Sequence, residues 1–169
     1  MKIWENHQVD GINRMPARAH FLTFPNREKA LLGSNRYTHA FKNLNGVWKF
    51  MFLDAPEYSP EGFYESGFDT ASMDDITVPG NWQLQGYGKM HYSDLWYNFP
   101  INPPYVPTEN PTGIYKRTFY GKTVLQENRS SSVSVVWIQH IICGLTDRKL
   151  ATAKEPEMKQ NLILQIWYA

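Results

Sequence analysis

Apolar and polar residues alternate most clearly in LNGVWKFMFLD, residues 44–54, which contains an Asn-Gly turn signal. A period of two predicts a β-strand whose two faces carry different side chains. One face would carry the rings of Trp48, Phe50 and Phe52. The opposite face would carry the alternate residues from Val47 to Leu53.

Two further segments have the pattern of strands. DDITV is a short strand that Pro79 stops, and TGIYKRTFY alternates from Thr112 to about Tyr120. Short strands between Gly and Pro turns predict an all-β sandwich. A sandwich normally needs about seven strands, and only three or four are readable here. We therefore expect the sandwich to be incomplete.

The N-terminal region has a different character. Residues 1–24 show no period and predict an irregular arm that lies across another surface. A short helix should follow, because Asn26 can cap its start and residues 27–32 are helix formers. Gly33 suits the left-handed backbone that ends a helix.

The connection from Gly80 to Pro111 is long and rich in rings, amides and prolines. Proline removes a backbone donor, so regular strand pairing is disfavoured there. A connection of this length in a compact domain is usually functional or disordered, and its aromatic residues argue against disorder. We therefore expect a functional loop.

Charge and cysteine content exclude several classes of function. The chain has 17 basic and 16 acidic residues with no basic stripe, so we expect neither a nucleic-acid partner nor an anionic membrane surface. Cys143 is the single cysteine, so no disulfide framework is expected. The apolar run at 133–145 is too short to span a bilayer. With no signal-like apolar N-terminus, a cytoplasmic location is expected.

No metal site is predicted from the histidines, which lack the spacing of known ligand motifs. They are His7, His20, His39, His91 and His140.

Several motifs together resemble one known family. The resemblance runs from Trp4 to Phe119 and is to the N-terminal sugar-binding domain of the large bacterial β-galactosidases, glycoside hydrolase family two. It implies a jelly-roll, galactose-binding-like β-sandwich and three regions: an arm at 1–24, a partial jelly roll at 25–119 and an unrelated tail at 120–169. The motifs are WENHQVDGINRMPARAHF, LNGVWKFMFLDAPEYSPEGFY, ITVPGNWQLQGYGKMHYSD and NPPYVPTENPTGIYKRTF.

The resemblance also implies a substrate contact. It gives Asn81 a hydrogen bond to a galactose hydroxyl, with support from Trp82, Gln83 and Tyr87. An amide offers two donors and one acceptor to a neutral polyol. The alternatives stay open. Asn81 could be a plain turn residue, and Trp82 or Trp96 could be interior packing, which burial trends favour over a sugar platform. The side chains of Gln83, Gln85 and Tyr87 are expected to brace the loop.

The family's catalytic machinery is expected elsewhere. A retaining glycosidase needs two carboxylates about 5 Å apart, and the family's pair lies downstream in a barrel. Asp74 and Asp75 are neighbours in sequence and would point apart. The isolated chain is therefore expected to be inactive and to hold no cofactor, with magnesium and sodium implied for the full-length enzyme. Its partners would be a β-galactoside and the remaining domains or subunits.

The tail suggests a shifted reading frame. When each codon from Glu127 onward is read one frame over, the permitted triplets can spell WVNGQKVGYSQG and then EFDIT. These strings resemble the family's next segment in the correct order. We therefore expect a frameshift near codons 119–127 and out-of-frame translation at 120–169.

Two other functions remain as alternatives to an enzyme fragment. The chain could be a free-standing carbohydrate-binding module, which needs exposed rings along one face. It could also be a complementing subunit that docks onto a separate remainder, as the arm from Trp4 to Phe24 suggests.

Overall fold

The computed structural model describes part of the chain. In full it describes residues 22–38, 41–65, 67–90 and 99–119, with isolated positions before Leu22 and the strand backbones at 120–122, 140–146 and 157–167. The helix is α1 (Arg27–Leu31), and the strands are β1 (Gly46–Leu53), β2 (Asp74–Val78), β3 (Thr112–Lys122), β4 (His140–Thr146) and β5 (Glu157–Trp167). Single 3-10 turns lie at Asn35–Tyr37, Pro56–Tyr58 and Trp82–Gln85.

The strands form one antiparallel sheet in the order β2-β1-β3-β5-β4, with β2 at one edge. Trp48 lies opposite Ile76 on β2, and Phe50 lies opposite Tyr115 on β3. The predicted all-β class is confirmed, since the described residues contain five strands and one helix of five residues. Within the described part, no helix is both long and apolar enough to cross a membrane.

The local signals in the sequence are confirmed. The Asn26 side chain caps α1 by accepting a hydrogen bond from the Lys29 N–H at 2.9 Å. Gly33 follows the helix with φ +62°, which is the backbone that glycine tolerates best. The predicted strands are β1, β2 and β3, and β3 continues to Lys122, beyond the predicted end at Tyr120.

Strands β4 and β5 lie in the region predicted to be translated out of frame. β5 was not predicted from the sequence, and it pairs with β3 along its whole length from Glu157 to Trp167. Backbone hydrogen bonds use groups that every non-proline residue carries. Strand pairing here therefore does not decide whether these side chains are the intended ones, and the frameshift stays a prediction.

The first face of β1 is covered, and the second is covered at Met51 and Leu53 but leaves Val47 60% exposed. The first face carries a ring-rich cluster, and the second carries a smaller cluster that sits under the connection between β1 and β2. The ring-rich cluster consists of Trp48, Phe50, Ile76, Trp82 and Tyr115, with Leu44, Phe52, Val78, Tyr87 and Phe119 around it. The second consists of Met73 and Ile114, with Met51, Leu53, Phe63 and Phe68 around it.

Lys116 fastens the connection that covers the second face. This residue is 5% exposed, and its Nζ donates to the Glu65 carbonyl at 2.8 Å and to the Phe68 carbonyl at 3.4 Å. The ammonium also lies 5.2 Å from the centre of the Phe68 ring, which favours a cation. Burial nevertheless lowers the pKa of Lys116 from its ordinary 10.5, because desolvation disfavours the charged form.

Candidate functional site

Asn81 lies at the start of a tight turn directly after β2. The chain leaves β2 at Val78, passes Pro79 and Gly80, and enters the 3-10 turn Trp82–Gln85. The Asn81 backbone is extended (φ −79°, ψ 133°), and its carbonyl accepts from the Leu84 N–H at 3.2 Å. Its side chain makes no capping bond to the turn and is exposed. The amide can therefore be offered to a ligand.

Trp82 anchors this turn in the core. It is 4% exposed, and its ring lies 6.0 Å from Phe50 and 5.7 Å from Phe52 between ring centres. The ring rests against the main chain of β3 at Gly113, where a Cβ would lie 2.5 Å from Trp82 Cζ3. A side chain at 113 would occupy the space of the ring, so glycine is required for this packing. Trp82 is interior packing and presents no face to a ligand.

Gln85 fastens the other end of the turn to the edge of the sheet. Its Oε1 accepts from the Thr77 N–H at 2.8 Å, and its Nε2 donates to the Thr77 carbonyl at 3.0 Å. The amide thus pairs with the outer edge of β2 as a neighbouring strand would. A Cβ at Gly80 would lie 2.8 Å from Gln85 Nε2 and 2.9 Å from the Thr77 carbonyl oxygen. Glycine at 80 therefore leaves room for this pair of bonds.

Tyr87 adds a third fastening. Its ring meets Phe50 edge-on with 4.7 Å between centres, and its hydroxyl donates to Asp74 Oδ2 at 3.0 Å. Desolvation, together with the Asp74 carboxylate, raises the pKa of Tyr87 above its ordinary 10.0. With Trp82 and Gln85, Tyr87 holds the turn at three points. Asn81 is therefore displayed on a fixed part of the backbone.

Comparison with known proteins places this architecture in a family. Residues 41–140 match the family model described as glycosyl hydrolases family 2, sugar binding domain. A β-galactosidase of Psychromonas ingrahamii is 38% identical over 130 residues, which are 77% of this chain and 12% of that enzyme. The chain belongs to glycosyl hydrolase family 2. It spans about an eighth of the length of that relative.

The family 2 match confirms the resemblance that the motifs indicated. The match to the family model extends past Phe119, where the resemblance of the motifs ended, to residue 140. The predicted division into 1–24, 25–119 and 120–169 stays a prediction, as does the assignment of Asn81 to substrate.

The remaining residues that the sequence singled out in this family 2 domain either have structural partners or lie outside the described part. Gln83 is half-buried within the turn. Trp96 lies outside the described residues, as do the side chains of all five histidines. Asp74 bonds to Tyr87, and Asp75 pairs with Lys49 across the strands at 2.8 Å. These two carboxylates therefore have structural partners.

Sequence reasoning missed the groups that make the turn rigid. Nothing local to Gly113 signals that a ring from residue 82 will lie on it. The pairing of Gln85 with Thr77 joins residues eight apart in sequence, and the period of two in β2 does not reveal which residue faces the open edge. The Asn and Gln content of the loop was the available signal, and it indicated bracing without naming the partner.

Proposed function

We propose that this chain is the N-terminal sugar-binding domain of a β-galactosidase and that it contributes Asn81 to the galactose subsite. The assembled enzyme would hydrolyse terminal non-reducing β-D-galactose residues of β-galactosides, in carbohydrate metabolism in the cytoplasm. The observation that carries the proposal is the exposed Asn81 amide on a turn fixed by a buried Trp82. The match to family 2 supplies the reaction.

Asn81 would act by binding and orientation. Its amide Nδ2 can donate to one sugar hydroxyl while Oδ1 accepts from another, so one side chain reads two positions of the ring. A fixed backbone lowers the entropy lost when the sugar is held. The amide carries no charge and moves no proton, so the chemical step belongs to other groups.

The catalytic carboxylates are proposed to lie in the remainder of the enzyme. Retention requires a pair about 5 Å apart, and Asp74 and Asp75 are occupied by Tyr87 and Lys49. The magnesium and sodium that the resemblance implies do not fit the described residues either. No group of three or more His, Cys, Asp or Glu comes together in the part that the structure describes.

The remainder of the enzyme is also the proposed partner of the loop that follows Asn81. Several large apolar side chains in this loop are well exposed, which is unusual unless another surface covers them. They are Leu84, Met90, Ile101 and Tyr105, each at least 62% exposed.

Complementation tests this function. The purified chain alone should not turn over a nitrophenyl β-galactoside, and adding it to a β-galactosidase that lacks its N-terminal domain should restore turnover. With Asn81→Ala, KM should rise about tenfold, as expected for one or two lost hydrogen bonds. Asn35→Ala, at an exposed position on another turn, is the matched control. Turnover by the chain alone, or an unchanged KM with Asn81→Ala, contradicts the proposal.

The tail needs a separate test. We propose that residues 120–169 arise from a frameshift, and sequencing the gene from codon 110 to well past codon 169 decides it. A shifted open frame that encodes VNGQKVGYSQG supports the proposal. A shifted frame that closes at once means that the tail is the intended sequence.

A further inference from the structure

The outer edge of β2 offers a short row of backbone groups. β2 is an edge strand of the sheet, and its inner side pairs with β1. In an antiparallel strand, the N–H and C=O groups of alternate residues point to opposite sides. The Thr77 N–H and C=O bond to Gln85 and therefore lie on the side away from β1. By the same alternation, the backbone groups of Asp75 also face the open side, and both residues are exposed.

The Gln85 amide occupies the place of a neighbouring strand. A strand beside β2 would accept from the Thr77 N–H and donate to the Thr77 carbonyl, and Gln85 does both, at 2.8 Å and 3.0 Å. Trp82 anchors the turn Trp82–Gln85 in the core, which holds the amide at this edge. Because a strand needs the same two groups of Thr77, it can pair here only after Gln85 has left.

The open edge is complementary to itself. When two copies of β2 run antiparallel with their Ile76 residues opposite each other, Asp75 of each copy lies opposite Thr77 of the other. Residues that face each other in this way exchange two backbone hydrogen bonds, so about four bonds would join the two copies. The Asp75 side chain then lies beside a threonine rather than another carboxylate, which avoids like charges on opposed strands. A twofold contact of this kind closes at two copies.

The charges at the edge permit this contact, and the end of the strand limits its length. The Asp75 carboxylate pairs with Lys49 at 2.8 Å, so a cation offsets the negative charge nearest to the second copy. After Val78 the chain continues into Pro79, which has no N–H to donate. Pairing is therefore confined to β2.

We propose that the outer edge of β2 is a pairing surface for a second copy of this chain and that Gln85 keeps it closed. Sheets join edge to edge through unpaired strands, and proteins protect such strands with charges, prolines or covering segments. Here the cover is one amide that supplies both bonds. It competes well because its bonds form within one molecule, whereas a second copy loses translational and rotational freedom on binding. The proposal does not depend on the sugar contact proposed for Asn81.

Sedimentation of the full chain tests the proposal. The parent should be mainly monomeric at about 100 μM, and Gln85→Ala should form dimers with a dissociation constant on the order of tenfold lower. The affinity rises because neither copy has to give up the bonds of Gln85. Asn43→Ala, which removes another exposed amide that accepts from a backbone N–H, should sediment like the parent. Equal association of the parent and Gln85→Ala overturns the proposal.

Charges at residue 77 test the register of the contact. In the Gln85→Ala background, Thr77→Lys would face Asp75 of the second copy and should tighten the dimer severalfold, whereas Thr77→Glu should weaken it. Both effects should decrease with added salt, because residue 77 is exposed. Equal effects of the two substitutions, or oligomers larger than a dimer, would place the contact elsewhere and overturn the proposal.

The same charge variants separate strand pairing from misfolding. Aggregates of an unfolded chain would not respond in opposite directions to the sign of the charge at residue 77. The complementation assay of Asn81 is read as turnover in dilute solution, where a weak dimer dissociates by mass action. The proposals for Gln85 and Asn81 can therefore fail independently.

Discussion

The two covered faces of the β1-β2-β3 sheet are closed in different ways. On the first face, the turn that carries Asn81 is held by rings, with Trp82 and Tyr87 packed on Phe50. On the second face, the connection between β1 and β2 is held by one ammonium, Lys116, which donates to two backbone carbonyls. Ring packing depends on shape, whereas the second arrangement depends on a charge. The first face should therefore be sensitive to volume, and the second to pH.

Among the variants of the two faces, Trp82→Ala should lower the free energy of unfolding the most. Removing a buried aromatic side chain costs about 3 to 5 kcal/mol, and Trp82 is 4% exposed in contact with two rings and Gly113. Urea denaturation of the full chain measures the free energy of unfolding. Leu84→Ala in the same turn, at a residue 72% exposed, should change it by less than about 0.5 kcal/mol. Similar losses for both variants would mean that Trp82 does not anchor the turn.

Gly113→Ala should have the next largest effect, because it adds volume where the ring lies. The new Cβ would lie 2.5 Å from Trp82 Cζ3 and 2.7 Å from Phe50 Cε2, and overpacking of this kind costs about 1 to 3 kcal/mol. Gly67→Ala is the control, since a Cβ there meets nothing within 4 Å.

Combining Gly113→Ala with Trp82→Ala sharpens the test. Once the Trp82 ring is gone, the Phe50 ring can shift away from the added methyl into the space that is left, so the two losses should not add in full. Strict additivity would show that Gly113 and Trp82 act independently.

The sequence predicted the features that depend on neighbouring residues and missed those that depend on contacts between distant residues. β1, β2 and α1 follow from neighbouring residues: a period of two, a proline stop, and an Asn cap with a Gly end. The fixed position of Asn81 depends on contacts between residues that are distant in sequence, since Trp82 packs on Gly113 of β3, the strand that pairs with β1. Periodicity also predicted which face of β1 carries rings, but it could not predict that the second face would be covered at Met51 and Leu53. Amide content indicated the bracing loop, and only the fold identified Thr77 as the partner of Gln85.

Lys116→Met tests the charge on the second face. The variant keeps the apolar stem but leaves the Glu65 and Phe68 carbonyls without this donor, at a cost of about 1 kcal/mol near neutral pH. Burial lowers the pKa of Lys116 in the folded chain below the 10.5 of the unfolded chain. At a pH between the folded and the unfolded pKa, the unfolded chain therefore binds more protons than the folded chain. Stability of the parent should therefore rise relative to the variant as the pH increases toward 10.5.

The pH experiment should be run with Tyr87→Phe in both proteins. The raised pKa of Tyr87 favours its neutral form in the folded state, so it contributes stability that is lost as the pH rises above 10.0. In each single pH profile this opposes the effect of Lys116, and removing it from both proteins makes the effect of Lys116 visible in the parent profile as well as in the difference. Parallel pH profiles for the two proteins would show that Lys116 does not make the second face pH-sensitive.

Gln85→Ala should have the smallest effect on stability and a larger one on function. Gln85 is exposed, so water can replace its two bonds to Thr77, and the loss should be about 0.5 to 1 kcal/mol. Trp82 would still hold one end of the turn, but the backbone leading to Asn81 would lose its link to β2. In the complementation assay KM should therefore rise although the chain stays folded. Asn43→Ala, which removes another exposed amide that accepts from a backbone N–H at 2.7 Å, should leave KM unchanged. If KM follows stability alone in both variants, ring packing is sufficient to position Asn81, and the edge pairing of Gln85 serves only the sheet.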